Sequence, residues 1–408
     1  MKKNNEPTLN SSAPKLWTKN FIILTLANMS FMFGFNMMPP TIPLFITGMG
    51  GTKTQVGIVA MSFSIAAIVT RFFAPIILQK FGKKRMLRIG FAVTLIVTFS
   101  CGFAQSIPLI LMFRVFQGIA FGFISTLTTT LAADLLPDAR RGEGIGYFGM
   151  GITAVTAISP ALGIFIVTSS TFFVMFLTAS AGQLISVFLL SFFRPPAAVM
   201  EVAADAPKLS LKSSFFEPAL LLQCLLLIFM GTARSAEQNY ISLLAEEHAI
   251  IGLSWYFVLQ TGVSFVAKFF TGRLYDTRGP AWSIIPGGIS WIIAFALMSF
   301  SHSIGMLLVA GFFSGYGMGM LLPAMQTWCI SRVPAERRSV ASALYFNFYD
   351  IGIGIGAIVL GALFEGYGAA DAFRVASACM VVFTAIYLIG ASMQRRGDAK
   401  RANQSGKR

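Results

Sequence analysis

The chain has 408 residues, of which 55% are hydrophobic and 12% charged, with a mean hydropathy of +0.73. Water-soluble proteins carry about 25% charged residues, so this composition excludes an ordinary soluble domain and implies an integral membrane protein. The net charge of +15 does not imply nucleic-acid binding, because no soluble segment is long enough to build a basic face that reads bases.

The N-tail, residues 1–19, is polar and lacks the pattern of a cleavable signal. Apolar runs long enough to span a bilayer, roughly 17–25 residues, follow along the whole chain. They are placed at 20–45, 54–78, 86–104, 107–133, 142–168, 170–193, 216–243, 252–272, 281–300, 304–330, 339–363 and 371–392. In lipid only helices or closed barrels satisfy the backbone. These runs are too continuous for barrel strands of about 9–11 alternating residues. The expected fold is therefore an all-α membrane protein of twelve transmembrane helices.

Residues 194–214, rich in proline, alanine and scattered charge, read as a linker between two six-helix halves, 20–193 and 215–392. A basic C-tail, 393–408, closes the chain. With the N-terminus inside, most cations fall on the inner side: the N-tail lysines, Lys80, Lys83, Lys84, Arg85, Arg88, Arg140, Arg141, Arg194, Lys208, Lys212, Arg273, Arg278, Arg332, Arg337, Arg338 and the C-tail. The outer loops hold Lys53 and Arg374. This bias sets the orientation, and the basic charge meets anionic lipid head groups. Both termini are expected in the cytoplasm and the protein in the cell (plasma or inner) membrane.

Sliding the sequence against itself by 197 residues superposes the halves without a gap from 71 to 141. Phe72 and Phe73 fall on Phe269 and Phe270, Gly82 on Gly279, Gly118 on Gly315, Gly122 on Gly319, Pro137 on Pro334, and Arg140–Arg141 on Arg337–Arg338. Glycine, proline and paired-arginine matches carry the inference, since apolar matches come readily in such a composition. Two parallel halves related by a pseudo-two-fold axis along the membrane normal suit a transporter with its site near the midplane.

These residues resemble the major facilitator superfamily over essentially the whole chain. Its loop motif between helices 2 and 3 reads roughly G-x-L-A-D-R-x-G-R-K. In "PIILQKFGKK" (75–84), Gly82, Lys83 and Lys84 match, Lys80 replaces the arginine, Pro75 the first glycine and Gln79 the aspartate. The second copy, "GRLYDTRG", keeps Gly272, Leu274, Asp276 and Gly279, with Arg278 one place off. The resemblance implies an inner gate at these loops, with Asp276 in a salt bridge and a weaker latch at Gln79. As positive-inside anchors alone, the same lysines would look no different.

In helix 4, Arg114, Gln117 and Gly118 match R-x-x-Q-G, which the superfamily uses near its proton site. An arginine inside an apolar run costs about 2.5–3.5 kcal/mol on insertion scales, so it faces a cavity or an acid, or else snorkels outward. In helix 5, Gly146, Pro160 and Gly163 fit the exporter motif G-x8-G-x3-G-P-x2-G, while Val155 and Ser159 replace two glycines.

Ionisable residues inside membranes are functional candidates by default. In helix 7, Arg234 and Glu237 share a face at i, i+3. They neutralise each other or, with Gln238 and Asn239, form one wall of a water-filled cavity. In helix 11, Asp350 lies near the middle with Asn347 and Tyr349 beside it; it carries a proton or makes a structural hydrogen bond. Asp134 and Glu143 near the inner end suit gate or cap roles, and Glu365 and Asp371 lie near the outer surface. Helix 1 carries Asn36 and Pro39, Pro40 and Pro43 but no acid. The proton-coupling candidates are thus Asp350, Glu237, Arg114 and Arg234. The cavity candidates are Asn36, Gln117, Gln238, Asn239, Asn347 and Tyr349.

Cys101, Cys224, Cys329 and Cys379 lie in apolar runs without metal or disulfide spacing, and His248 and His302 fall in or near outer loops without a ligand partner in sequence. Neither a metal nor a cofactor is called for, and the energy source is a proton gradient. The 40 phenylalanines and 20 methionines face lipid and fill helix contacts, or form an adaptable pocket. No phosphate-binding G-x-x-x-x-G-K-[ST] loop marks a primary pump, and no His, Ser or Cys constellation marks an enzyme. The expected function is proton-coupled export of a small amphipathic or zwitterionic solute by a monomeric secondary transporter. The alternative on the same scaffold is a symporter or importer of a small polar metabolite; a membrane enzyme is a remote third.

Overall fold

A computed structural model describes residues 16–137, 140–200, 217–334 and 337–405. Of residues 75, 79, 141–143, 157, 197–198, 339 and 391–405 the backbone alone is described. Outside the described residues lie Lys2, Lys3, Lys15, Lys208, Lys212, most of the linker, and the side chains of Gln79, Arg141, Glu143 and the C-tail cations.

The fold is all-helical. The helices are α1 (Lys19–Asn36), α2 (Met38–Gly48), α3 (Lys53–Phe81), α4 (Lys83–Cys101), α5 (Ile107–Asp134), α6 (Arg141–Ser169), α7 (Phe172–Ser191) and the short α8 (Ala197–Met200). A 3-10 turn (Pro218–Leu220) leads into α9 (Leu221–Glu247). Then come α10 (Leu253–Arg278), α11 (Ala281–Ser299), α12 (Ile304–Ser331), α13 (Arg338–Tyr367) and α14 (Ala369–Ser405). The first apolar run is one span made of two helices, α1 and α2, broken at Met37 just before Pro39 and Pro40. Proline lacks an N–H and clashes with the preceding turn, so it starts a helix far better than it continues one. The last helix runs on past residue 392 to Ser405, where alanine, arginine, lysine and glutamine favour helix continuation.

Ten spans are long and apolar enough to cross a membrane by length and composition among the described residues. The other two of the twelve rods are α4 and α10. The first opens on Lys83, Lys84, Arg85 and Arg88, and the second buries Gln260, Thr261 and Ser264. Their polarity is local, and both pack within the bundle like their neighbours.

The halves repeat one packing plan. In the first, α3 and α4 pack on α5, α4 on α7, and α1 on α6 and α7; in the second, α10 and α11 pack on α12, α11 on α14, and α9 on α13 and α14. The 197-residue offset reaches atomic contacts. A Cβ on Gly118 would meet the Phe63 carbonyl oxygen at 2.4 Å, and one on Gly315 would meet the Gln260 carbonyl oxygen at 2.1 Å. Phe63 and Gln260 are themselves one offset apart. Without a hydrophobic drive between helices in lipid, such close backbone approach at small residues is what holds them together. Gly82 (φ +78°) and Gly279 (φ +87°) make the same sharp turn in both copies, a backbone state only glycine enters freely. Outside the bundle, Ile158, Phe165, Phe188 and Ile389 are at least 58% exposed, as a lipid-facing belt requires.

Candidate functional site

The halves meet along two seams, α3 against α13 and α6 against α10, and where α2 packs on α9. The α3–α13 seam is closely packed at the face opposite the basic loops. Thr54 N–H donates to Glu365 Oε2 at 2.9 Å. A Cβ on Gly57 would collide with the Ala357 carbonyl oxygen at 2.2 Å. Some 14 residues further along α3, about 21 Å at 1.5 Å per residue, Arg71 forms an ion pair with Asp350. Both are largely buried, with side chains 13% and 23% exposed. The Arg71 guanidinium also lies 5.5 Å from the Phe121 ring centre.

The second seam carries the counterpart. Lys268 on α10, one offset from Arg71, donates to Thr153 Oγ1 on α6 at 3.3 Å. Thr153 is likewise one offset from Asp350. From sequence, Asp350 carries a proton or makes a structural hydrogen bond, and neither Arg71 nor Lys268 is among the candidates. Their signal was present: each is a cation well inside an apolar run, and each opens its copy of the repeated stretch.

Within the C-terminal half, Glu237 is fully buried. Arg234 Nη1 lies 2.6 Å from its Oε2. Ser314 donates to Oε2 at 2.8 Å and Tyr256 to Oε1 at 2.5 Å. Gln260 donates to Oε1 as well. This carboxylate is held from three helices, α9, α10 and α12, and does not stand on an open cavity wall. A buried ion pair is tolerable only when its remaining lone pairs are satisfied this way. Tyr256, Gln260 and Ser314 were missed from sequence, because nothing local says that three distant segments converge.

The N-terminal half holds a matching cluster built around a cation. Arg114 is 6% exposed. It donates to Gln117 Oε1 at 3.0 Å and stacks 4.4 Å from the Phe63 ring centre. Gln117 donates to Thr98 Oγ1 at 3.1 Å. Gln117 and Ser314, and Phe63 and Gln260, are each one offset apart. Arg114 thus meets an amide and an aromatic face where an acid or a cavity was expected. Its Nε, like Asn347 Oδ1, finds no partner among the described residues.

The other candidates are dispersed. Asn36 donates to its own helix at the Met32 carbonyl, 2.8 Å away. Asn239 bonds Ser235 Oγ at 2.9 Å, Gln238 is half-buried beside it, and Tyr349 stacks on Tyr345 at 6.3 Å. Gly163 meets the α1–α2 break, where a Cβ would lie 2.8 Å from the Met37 carbonyl oxygen, whereas Gly146 faces open space; Pro160 lies between them inside α6. At the basic face, Lys83 pairs with Asp134 at 3.3 Å, and Lys80 and Arg278 lie over the rings of Phe81 and Trp282. Gly272 is exposed with nothing near it, and Lys84 is exposed. Asp276, expected in a salt bridge, is exposed and forms no ion pair among the described residues. It lies in the last turn of α10, and the neighbouring Arg278 turns away to Trp282. His248 and His302 come together, Nδ1 to Nδ1 at 2.6 Å.

The sequence matches the Major Facilitator Superfamily model over residues 24–250 and 238–408. It is 21% identical over 404 residues to the Quinolone resistance protein NorA of Staphylococcus aureus (strain MSSA476), covering 94% of this chain and 99% of that one. It is 26% identical over 413 residues to the Multidrug resistance protein MdtG of Enterobacter lignolyticus (strain SCF1), covering 95% of each. Among solved structures, the nucleoside transporter NupG superposes with a TM-score of 0.72 at 14% identity, over 91% of this chain and 99% of that one. A POT family transporter in complex with 5-aminolevulinic acid gives 0.74 at 13%, over 90% and 95%. With its family model matched across both halves and its fold shared with known transporters, the chain belongs to the major facilitator superfamily and is a multi-pass membrane transporter, not an enzyme.

Proposed function

We propose that the protein is a proton-coupled exporter of a small amphipathic or zwitterionic solute, working by alternating access in the cell membrane with both termini and the basic face in the cytoplasm. The observation that carries this reading is the Arg71–Asp350 ion pair, which joins the two halves. A proton bound to Asp350 would cancel the attraction across the seam, and in this reading that links proton binding to seam opening. Glu237, tied to Arg234 and three neutral donors, is the second coupling candidate inside one half. Arg114 supplies a buried cation in the opposite half. The names of the relatives, a quinolone resistance protein and a multidrug resistance protein, and the Pro160–Gly163 helix motif favour export over import.

The test is purified protein in proteoliposomes with an imposed pH gradient, screened for gradient-driven movement and counterflow of pooled cationic, zwitterionic and neutral solutes. Uphill movement that collapses when a protonophore dissipates the gradient supports the proposal. Transport that ignores the gradient across the whole panel overturns the coupling, and uptake along with protons would reassign it as a symporter.

A further inference from the structure

The basic face carries a recess of about 670 Å³ where α3 turns into α4. Four cations line it, Lys83, Lys84, Arg85 and Arg88, together with Phe81 and Ile89. Lys83 is already engaged, by Asp134 at 3.3 Å and the Val199 carbonyl at 3.0 Å. Arg85 lies 6.0 Å from the centre of the Phe81 ring. Lys84 and Arg88 are exposed and one helical turn apart, so they share a face of α4. The first turn of α4 begins at Gly82 without a side-chain cap. Its free N–H groups and dipole add to the positive field that the four side chains create.

The repeat shows that this cluster is more than a signal of orientation. The same sharp glycine turn occurs in the second half at Gly279. There the residues one offset from Lys83, Lys84, Arg85 and Arg88 are Pro280, Ala281, Trp282 and Ile285. Two turns of one geometry on one face differ by four charges. A fold that needed only basic loops on that face would have no reason to gather them around one recess.

We propose that this recess binds the phosphodiester head group of an anionic membrane phospholipid. Lys84 and Arg88 hold the phosphate oxygens, and Arg85 and the α4 N-terminus complete the positive field. Phe81 and Ile89, 45% and 42% exposed, lie against the acyl chains. Those exposed apolar neighbours favour a lipid over a free phosphate. A bound lipid would fasten the turn between α3 and α4, and with it the Lys83–Asp134 link to α5.

The test uses the full-length protein in detergent mixed with phosphatidylglycerol or phosphatidylcholine, with retained lipid counted by native mass spectrometry. Each cation near an anionic head group contributes about fivefold in affinity. The double variant K84A/R88A is thus expected to lose roughly 30-fold for phosphatidylglycerol and nothing for phosphatidylcholine. The conservative variant K84R/R88K is expected to retain binding. R273A/R278A, which removes two charges from the matching end of α10, is the control and should bind as the parent does. Equal loss in both double variants would mean diffuse charge attraction and overturn the site. So would full retention in K84A/R88A. Displacement of the lipid by equimolar glycerol phosphate would reassign the recess to a soluble phosphate and overturn the lipid as its ligand.

Discussion

Where α3 meets α13 a guanidinium faces a carboxylate, Arg71 on Asp350; where α10 meets α6 an ammonium faces a hydroxyl, Lys268 on Thr153 at 3.3 Å. The positions are related by the repeat, so geometry is not what separates them. One seam pairs two opposite charges, and the other sets a single charge against a neutral hydroxyl. Ion pairing in a low-dielectric seam is strong but conditional, since either charge alone is costly there. A hydroxyl accepting from lysine is weaker, because it brings no opposite charge. The difference teaches that the two halves share a scaffold while the ion pair across the interface is placed on one side only, among the described residues. The inner clusters also differ: Arg114 meets an amide and an aromatic ring in one half, and Glu237 is paired with Arg234 in the other.

The most severe way to break this arrangement is Glu237→Gln. The amide keeps one acceptor oxygen, for Tyr256 or for Ser314 but not both, and Arg234, only 16% exposed, loses its counter-charge. Breaking a buried pair costs about 3–5 kcal/mol. A lowered thermal unfolding midpoint and loss of gradient-driven transport are expected, and an unchanged midpoint would show that Arg234 had found another anion. Next is Asp350→Asn, which should leave counterflow intact while gradient-driven transport falls at least tenfold. A double-mutant cycle with Arg71→Gln should return a coupling of about 1–3 kcal/mol; additive effects would mean that the pair does not link the halves.

The comparison is sharpened by giving the second seam an acid. Thr153→Asp places a carboxylate before Lys268, and should stabilise the seam-closed protein by about 1 kcal/mol while slowing turnover severalfold. Stopped-flow or single-turnover counterflow would read the rate, and faster turnover would mean that the second seam does not open in the cycle. The smallest effect is expected at the loops. Gln79→Asp makes the first turn match Asp276 in the second, and should change counterflow kinetics by about twofold. Asp276 itself forms no ion pair among the described residues, so the aspartate is not expected to lock the loop alone.

Much of the molecule was legible before its fold. Long apolar runs mark helices because lipid leaves the backbone no other partner. The 197-residue repeat survived in glycines such as Gly118 and Gly315 because their missing Cβ atoms face carbonyl oxygens at 2.4 and 2.1 Å. Asp350 and Glu237 stood out because charge in an apolar run is expensive. Their partners did not. Arg71 is 279 residues from Asp350 in sequence, and Ser314 is 77 from Glu237.

The sequence by itself therefore determined the class of the protein, the twofold repeat and which residues carry embedded charge, since each follows from local composition and the cost of burying backbone or charge in lipid. Only the tertiary structure decided which charges meet: that Asp350 bridges the halves, that Glu237 is enclosed within one, and that one copy of the turn gathers its cations around a recess. Pairing is a property of distance in space, and helix packing sets that distance through contacts between segments hundreds of residues apart.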